Sequence, residues 1–405
     1  MPSVLGLRGT GDWGLDERPK NFRETILWNM PNGMAPLLAL MGRLGEESVD
    51  DPEYSWWEEI LTLQKVVIGA GGQLVGDTTF TVVSGALQFV AGDVLSVAVE
   101  SAAGATPYAA EMVRVSANPT VDTTLAVTRA FGGTTAAALT AGTTLVKTGS
   151  SHPEGGPSPS SSTRNPTKNS NFTQIFKTVY ELTNTATKTN LRTGDPVAND
   201  KKRKMHDHSV DIEMALLFGQ KSEIIGANGK PQRTMQGLIK SITTNRMIFS
   251  GQGTAANQWG FDNFLNAIHK VFDFNAKEGT ERLVFAGNKA LNDVNKLAKT
   301  DAATRINFDG VVKTYGMNLQ RWVTPQGEFY FRTHPLFTQH PVLNEALVVI
   351  APSNLRYRYL RGRDTKFEDN IQANGDDSLK GQWITECGFE WHHEYTMAYL
   401  GNTGG

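Results

Sequence analysis

The 405-residue chain contains one cysteine, Cys387. It therefore forms no internal disulfide and no all-cysteine zinc site, and it tolerates a reducing compartment. An excess of charge is also missing: 39 Lys and Arg face 41 Asp and Glu, a net charge of -2. Histone-like and nucleic-acid-coating proteins are strongly basic, so charge alone names no such partner. Long apolar runs are absent too. No window approaches the roughly 18 apolar residues of a membrane helix, and the opening MPSVLGLRGTGDWGLDERPKNF lacks the basic and apolar segments of a secretory signal. A membrane partner is not expected. Global disorder is excluded by 39% hydrophobic residues, with 19 Phe and 8 Trp.

What is present suffices for two or three domains at roughly 150 residues each. Residues 66–149 stand apart, with five acids, three bases and an abundance of Gly, Ala, Thr and Val. Runs such as TTFTVV, DVLSVAV, EMVRV, TTLAVTR and TTLVK alternate there with turn residues, which predicts an inserted all-β sandwich or barrel of about five or six strands. The following GSSHPEGGPSPSSSTRNPTKNSN (149–171) has the composition of a flexible arm. On either side, PEYSWWEEILTLQ (52–64) and FTQIFKTVYELTNTATKT (172–189) read as extended, predicting a hairpin with the β unit at its tip.

A long helix is predicted from the Asp195 N-cap and Pro196 to a stop at Gly219, with Met205, Val210, Ile212, Met214, Leu216 and Leu217 as its apolar stripe. Residues 259–275 and 288–299 predict two more helices around a strand ERLVFA. MNLQRWVT, GEFYFRTH, ALVVIA and LRYRYL predict strands beyond residue 310. From Trp383 to Met397, apolar Trp383, Cys387, Phe389 and Trp391 alternate with Glu386, Glu390 and Glu394. That period of two predicts one long antiparallel strand packed on one side.

Chemistry does not converge. VVIGAGGQLVG (66–76) carries Leu74 where a dinucleotide fingerprint needs its third glycine, and it runs into a strand rather than a helix. GANGKPQ (226–232) is too short for a phosphate loop. His206 and His208 diverge on a helix, His392 and His393 point to opposite faces of a strand, and Cys387 falls on an apolar face where a thiolate is disfavoured. No catalytic, cofactor-binding or metal-ligating residue is assigned. The cluster Lys201, Lys202, Arg203 and Lys204 is matched by Asp200, Asp207, Asp211 and Glu213, with Asp200 and Lys204 in the favourable i, i+4 order. It reads as a solvated or subunit-contacting face with weak, salt-sensitive affinity for phosphate. Trp56 and Trp57 read as core or as interface anchors.

Taken in order, SWWEEIL (55–61), TRNPTKNSNFTQIFKTVYELTNTATKT (163–189), DIEMALLFG (211–219) and RTMQGL (233–238) resemble the major capsid proteins of tailed bacteriophages, in the subgroup with a β-rich insertion in the extended loop. The resemblance implies an α+β fold of the Hong Kong 97 type. Its parts would be an N-terminal arm (1–21), a peripheral domain built on a long spine helix and a β-sheet (22–51, 186–239 and 366–405), an extended loop or E-loop (52–65 and 150–185), an inserted small all-β domain (66–149) and an α/β axial domain (240–365). It implies a structural protein, not an enzyme: hexamers and pentamers of the chain would close an icosahedral shell around double-stranded DNA.

The same resemblance implies residence in the virion after synthesis in the host bacterial cytoplasm, with a portal and a decoration protein among the candidate partners. Because Met1 is present, scaffolding is expected from a separate protein rather than from a cleaved leader. Trp56, Trp57, Phe172, Ile175 and Phe176 become candidate subunit-interface residues, and Lys201, Lys202, Arg203 and Lys204 candidates for weak contact with the genome or a neighbour. The insert is expected on the outer surface. Lys168 and Asn171 invite a cross-linking role, but no acidic partner is identifiable. The alternative is a surface-binding adhesin or carbohydrate-active enzyme with an accessory β module, whose mark would be paired carboxylates in a cleft.

Overall fold

The computed structural model describes residues 35–97, 111–189, 191, 193–255, 257–274, 279–300, 309–314 and 317–403. The expected N-terminal arm (1–21) and residues 22–34 lie outside them. The chain divides into two units, residues 57–168 in one and the flanking segments in the other.

In the larger unit the longest helix begins as its sequence dictates. The Asp195 carboxylate accepts from the Val197 N–H at 2.9 Å, Pro196 follows, and Gly219 ends a 23-residue helix, Pro196–Phe218. At about 1.5 Å per residue it spans about 35 Å. Its buried stripe differs from the predicted one. Ile212, Leu216 and Leu217 are buried, but Met205 is exposed, and His208 and Glu213 complete the stripe. The half of the helix that carries the lysine-rich cluster is too charged to bury a full apolar face.

The buried Glu213 has a definite task. Its two carboxylate oxygens accept the N–H groups of Leu37 and Leu38, each at 2.8 Å, in the first turn of the helix Pro36–Leu44. His334 Nε2 lies 2.8 Å from the same carboxylate. A carboxylate at the positive end of a helix satisfies orphan N–H groups and complements the dipole. One side chain thus joins the first helix, the long helix and the turn at His334.

The long helix lies on a five-stranded sheet with the path Glu46–Val49, Leu355–Leu360, Ser378–Trp391 and Gln174–Thr183; Lys366–Glu368 pairs with Ser378–Trp391 as well. Gln174–Thr183 runs antiparallel to Ser378–Cys387 without a break in register. Residues 174–183 therefore belong to this sheet rather than to the extended loop in which they were expected. Their alternation explains it: Phe176 and Tyr180 are buried, while Ile175, Lys177, Val179 and Glu181 face outward. Leu355–Leu360, expected in the axial domain, is likewise a strand of this sheet.

The predicted long strand is Ser378–Trp391, 14 residues, and from Thr385 onward both of its faces are buried, not one. It stops where His393 adopts φ 51° and the turn Glu394–Thr396 redirects the chain. The final strand, Ala398–Gly401, joins a second sheet of seven strands in the order Arg246–Ile248, Ala398–Gly401, Leu347–Ile350, Glu281–Ala286, Glu328–Thr333, Met317–Val323 and Asp309–Thr314. That sheet separates two cores. Leu283, Phe285, Val348 and Ile350 pack with Ile212, Leu216 and Phe389. Val284, Ala286, Leu347 and Val349 pack with Phe264 and Val294, which lie on the helices Phe261–Ile268 and Asn288–Thr300. Burial on both faces is why ERLVFA and ALVVIA read as continuous apolar runs. The helix expected over 259–275 is shorter, because a tighter turn, His269–Phe272, takes over after Ile268.

The unit 57–168 is an antiparallel barrel. Its strands follow the order Lys65–Val67, Thr144–Ser150, Asp93–Val97, Met112–Val115, Thr124–Thr128 and Thr79–Thr81. The ends meet at a bridge between Ile68 and Val82, where the Gly69 N–H donates to the Thr81 carbonyl and the Val83 N–H to the Val67 carbonyl, each at 2.9 Å. Closure removes the free edges that a small open sheet would expose. Phe80, Phe89, Leu95, Val113, Leu125 and Leu145 fill the interior.

Across one end Arg129 meets Glu111 at 2.6 Å and donates to the Leu74 and Ala137 carbonyls. Burial opposes ionisation of Glu111, yet the Arg129 hydrogen bonds and the Ala130 and Ala137 N–H groups hold it below the usual carboxylate range. The glycines of VVIGAGG make a turn: Gly71 and Gly72 have φ of 98° and 67°, and a Cβ on Gly72 would strike the Leu139 carbonyl. The Ser/Pro segment is not the free arm its composition predicts. Its ends belong to the strands Thr144–Ser150 and Thr167–Phe172, and between them Ser151 N–H donates to the Gly92 carbonyl at 2.8 Å, Ser162 Oγ to the Gln88 carbonyl at 3.3 Å and Arg164 to the Gln88 side chain at 2.9 Å.

Candidate subunit interface

The chain leaves and re-enters the larger unit along a two-stranded ribbon, Glu53–Glu58 with Thr167–Phe172. Tyr54 anchors its base. The phenol donates to the Phe389 carbonyl at 2.8 Å, and the ring sits where a side chain at Gly388 would otherwise project. Burial first, then the nearby Glu390 carboxylate, push the Tyr54 phenol well above its ordinary value. Trp56 meets the edge of Trp391 with ring centroids 5.0 Å apart.

The acids that alternate along the long strand are held in place around this anchor. Glu390 bonds Arg358 Nε at 2.5 Å and His392 Nε2 at 2.6 Å. Burial works against its charge, but these two partners hold its carboxyl below the usual range. Glu386 pairs with Arg363 at 2.5 Å and accepts from Thr173 Oγ1 at 3.2 Å. Asn171 is buried and bonded on both ends of its amide, to the Gln236 and Phe389 carbonyls and from the Phe172 and Gln236 N–H groups. It is a structural clasp.

The five candidate interface residues divide accordingly. Trp56 and Phe176 are core residues of their own chain, which corrects the expectation that neighbours bury them; the anchor at Tyr54 and the alternation of 174–183 turn both inward. Phe172 is half-buried, with Lys221 Nζ 4.6 Å from its ring centroid. Trp57 is 63% exposed and Ile175 50%. Leu61 and Leu63, which the sequence reading passed over, are 85% and 73% exposed.

The basic cluster is paired within its own chain. Lys201 lies 3.3 Å from Asp369 and 4.7 Å from the centroid of the Phe367 ring. Arg203 pairs with Asp200 at 3.3 Å and Lys204 with Asp207 at 3.4 Å, instead of the expected Asp200–Lys204 pair. Lys202 is exposed. His208 is buried between Thr178 Oγ1 at 3.0 Å and Thr385 Oγ1 at 2.8 Å. The Cys387 thiol is fully buried, and burial pushes it up to about 12. Among the described residues no three His, Cys, Asp or Glu side chains are grouped to hold a metal, and no helix is long and apolar enough to cross a membrane.

A long helix across a five-stranded mixed sheet, a seven-stranded mixed sheet beside it and an extended ribbon give the chain the α+β architecture of a capsid shell subunit of the Hong Kong 97 type. The family model described as SU10 major capsid protein matches residues 8–404. The chain belongs to that family and is a major capsid protein of a tailed phage, a component of the virion. It is similar to the major capsid protein of Pseudomonas phage PaMx41, with 26% identity over 368 residues, 88% of this chain and 82% of that one. Among solved structures, it aligns with the capsid of a native GTA particle at 7% identity and a TM-score of 0.44, covering 95% of each chain. It also aligns with the capsid of Myoviridae phage XM1 at 11% identity and a TM-score of 0.40, covering 95% of this chain and 96% of that one.

Proposed function

We propose that copies of this chain assemble as hexamers and pentamers into the icosahedral shell that encloses the double-stranded DNA of the phage, and that the chain carries no catalytic activity of its own. The observation that carries this reading is the exposure of Trp57 on a ribbon whose base is firmly anchored, and of Leu61 and Leu63 in the segment that follows it. Large apolar side chains exposed together along one segment mark a protein interface.

In this reading the long helix and the five-stranded sheet form the peripheral domain, the seven-stranded sheet with its helices forms the axial domain, and residues 52–65 and 150–173 are the E-loop with the barrel at its tip. The barrel faces outward, where a decoration protein is a candidate partner. A portal and a separate scaffolding protein complete the assembly, which takes place in the host cytoplasm. The genome is held by weak, non-specific contacts: with Lys201, Arg203 and Lys204 already paired, few cations of the long helix remain to release counterions on DNA. Negative-stain microscopy of the expressed protein tests the reading. Shells or tubes support it; discrete monomers under every assembly condition refute it.

A further inference from the structure

The strand Gln174–Thr183 pairs on one side only. Its partner is Ser378–Cys387, and among the described residues no other element bonds to its backbone along the opposite edge. It is ten residues long, with no proline and no bulge. A long, regular edge presents a row of amide groups ready to pair with another strand. Proteins that avoid such pairing shorten, bulge or cover the edge; this one is neither short nor bulged, and the hairpin of Ser222–Ile225 and Pro231–Thr234 shares a cleft with Gln174, Ile175 and Lys177 at one end only, leaving the backbone edge unpaired.

The outward face of the strand is self-complementary. Ile175, Lys177, Val179 and Glu181 alternate there, with Ile175 50% and Val179 37% exposed. If a second copy of the strand runs antiparallel and the pair is centred on Val179, Lys177 of each copy stands opposite Glu181 of the other. Opposite charges directly across a strand pair attract, and like charges repel. Moving the centre by one residue along the strand sets Lys177 opposite Val179 or Thr183 and loses both charge pairs. Lys177 has no ion-pair partner among the described residues, whereas Glu181 has the exposed Lys380 at 3.2 Å. A second copy would supply the missing carboxylate.

Resting on the shell-subunit reading above, we propose that this edge is a two-fold contact between two copies of the chain, in which Gln174–Thr183 pairs with itself about Val179 and joins two five-stranded sheets into one. The two-fold axis of such a pair is perpendicular to the sheet, so both long helices lie on the same side, as the wall of a closed shell requires. At His208, which bonds Thr178 on this strand and Thr385 on the next, the helix straddles the seam between them.

Cysteine cross-linking in assembled particles tests this, using a short thiol-reactive reagent; the natural Cys387 is buried and serves as the parent control. Val179→Cys is expected to form covalent dimers. Lys177→Cys alone is not, because its two copies lie about 13 Å apart along the strands, but the double variant Lys177→Cys, Glu181→Cys is. Should Val179→Cys fail to assemble, charge exchange decides: K177E and E181K each lower particle yield several-fold, and K177E/E181K restores it. Particles in which Val179→Cys stays monomeric, Lys177→Cys dimerises equally well, or the double charge exchange is no better than the single ones overturn the proposal and leave the shell reading intact. If the unaltered chain forms no particles, the shell reading itself fails.

Discussion

Tyr54 occupies the space above Gly388 that a side chain would need. A Cβ at that position would collide with the phenol and come within 2.9 Å of the Phe172 carbonyl. One missing side chain in a buried strand is therefore the seat on which the base of the extended ribbon rests. Gly388→Ala is expected to lower the stability of the subunit by about 1–3 kcal/mol, as overpacking does. Tyr54→Phe, which keeps the ring and loses the bond to the Phe389 carbonyl, should cost about 0.5–1.5 kcal/mol. Urea denaturation of unassembled subunits measures both, and a neutral Gly388→Ala would show that the seat is loose.

Glu213 is the single acceptor for two N–H groups of the first helix and the partner of His334. Glu213→Ala leaves the Leu37 and Leu38 N–H groups without their acceptor, and a loss of about 1–3 kcal/mol for each buried donor left unpaired is expected. Glu213→Gln keeps one acceptor oxygen and should lose less. Hydrogen exchange at the Leu37 and Leu38 amides gives the local readout: faster exchange in Glu213→Ala than in Glu213→Gln is the expected order.

His208 confers a dependence on pH. Burial holds its imidazole below the ordinary histidine value, with Asp211 pulling weakly the other way. The folded state thus resists a proton that the unfolded chain accepts. The contribution is complete above about pH 6.5 and declines as the pH falls below it. His208→Gln should flatten the decline in melting temperature between about pH 6.5 and 5; an unchanged slope would assign the acid sensitivity to other groups.

The barrel should melt by its own rules. Arg129→Ala leaves Glu111 buried without its cation, and the unit 57–168 is expected to lose about 3–5 kcal/mol while the other unit keeps its transition. Replacing 66–149 by a short Gly/Ser bridge should leave a soluble subunit with its long helix intact, as circular dichroism would record. An unfolded deletion variant would show that the insert is part of the main core.

Local signals were legible in the sequence, and pairings across the chain were not. Asp195, Pro196 and Gly219 mark the ends of the long helix because capping depends on adjacent residues. The barrel is visible as an abrupt change in composition. The seat at Gly388 and the clasp at Glu213 join residues more than a hundred positions apart, and no periodicity encodes them. Trp56 and Phe176 were misread for the same reason: a large apolar residue near a loop looks the same whether its own core or a neighbour covers it. Strand membership erred where Leu355–Leu360 and Ala398–Gly401 cross between the two sheets, since alternation gives a strand its faces without naming its partners.

Electron cryomicroscopy of particles formed by the full chain is the most direct test of a shell subunit whose ribbon is anchored at its base and exposes apolar side chains beyond it. Closed shells in which Trp57, Leu61 and Leu63 are covered by neighbouring copies, while Tyr54 stays on Gly388 of its own chain, are the predicted result. Shells in which those three side chains remain open to solvent would contradict it.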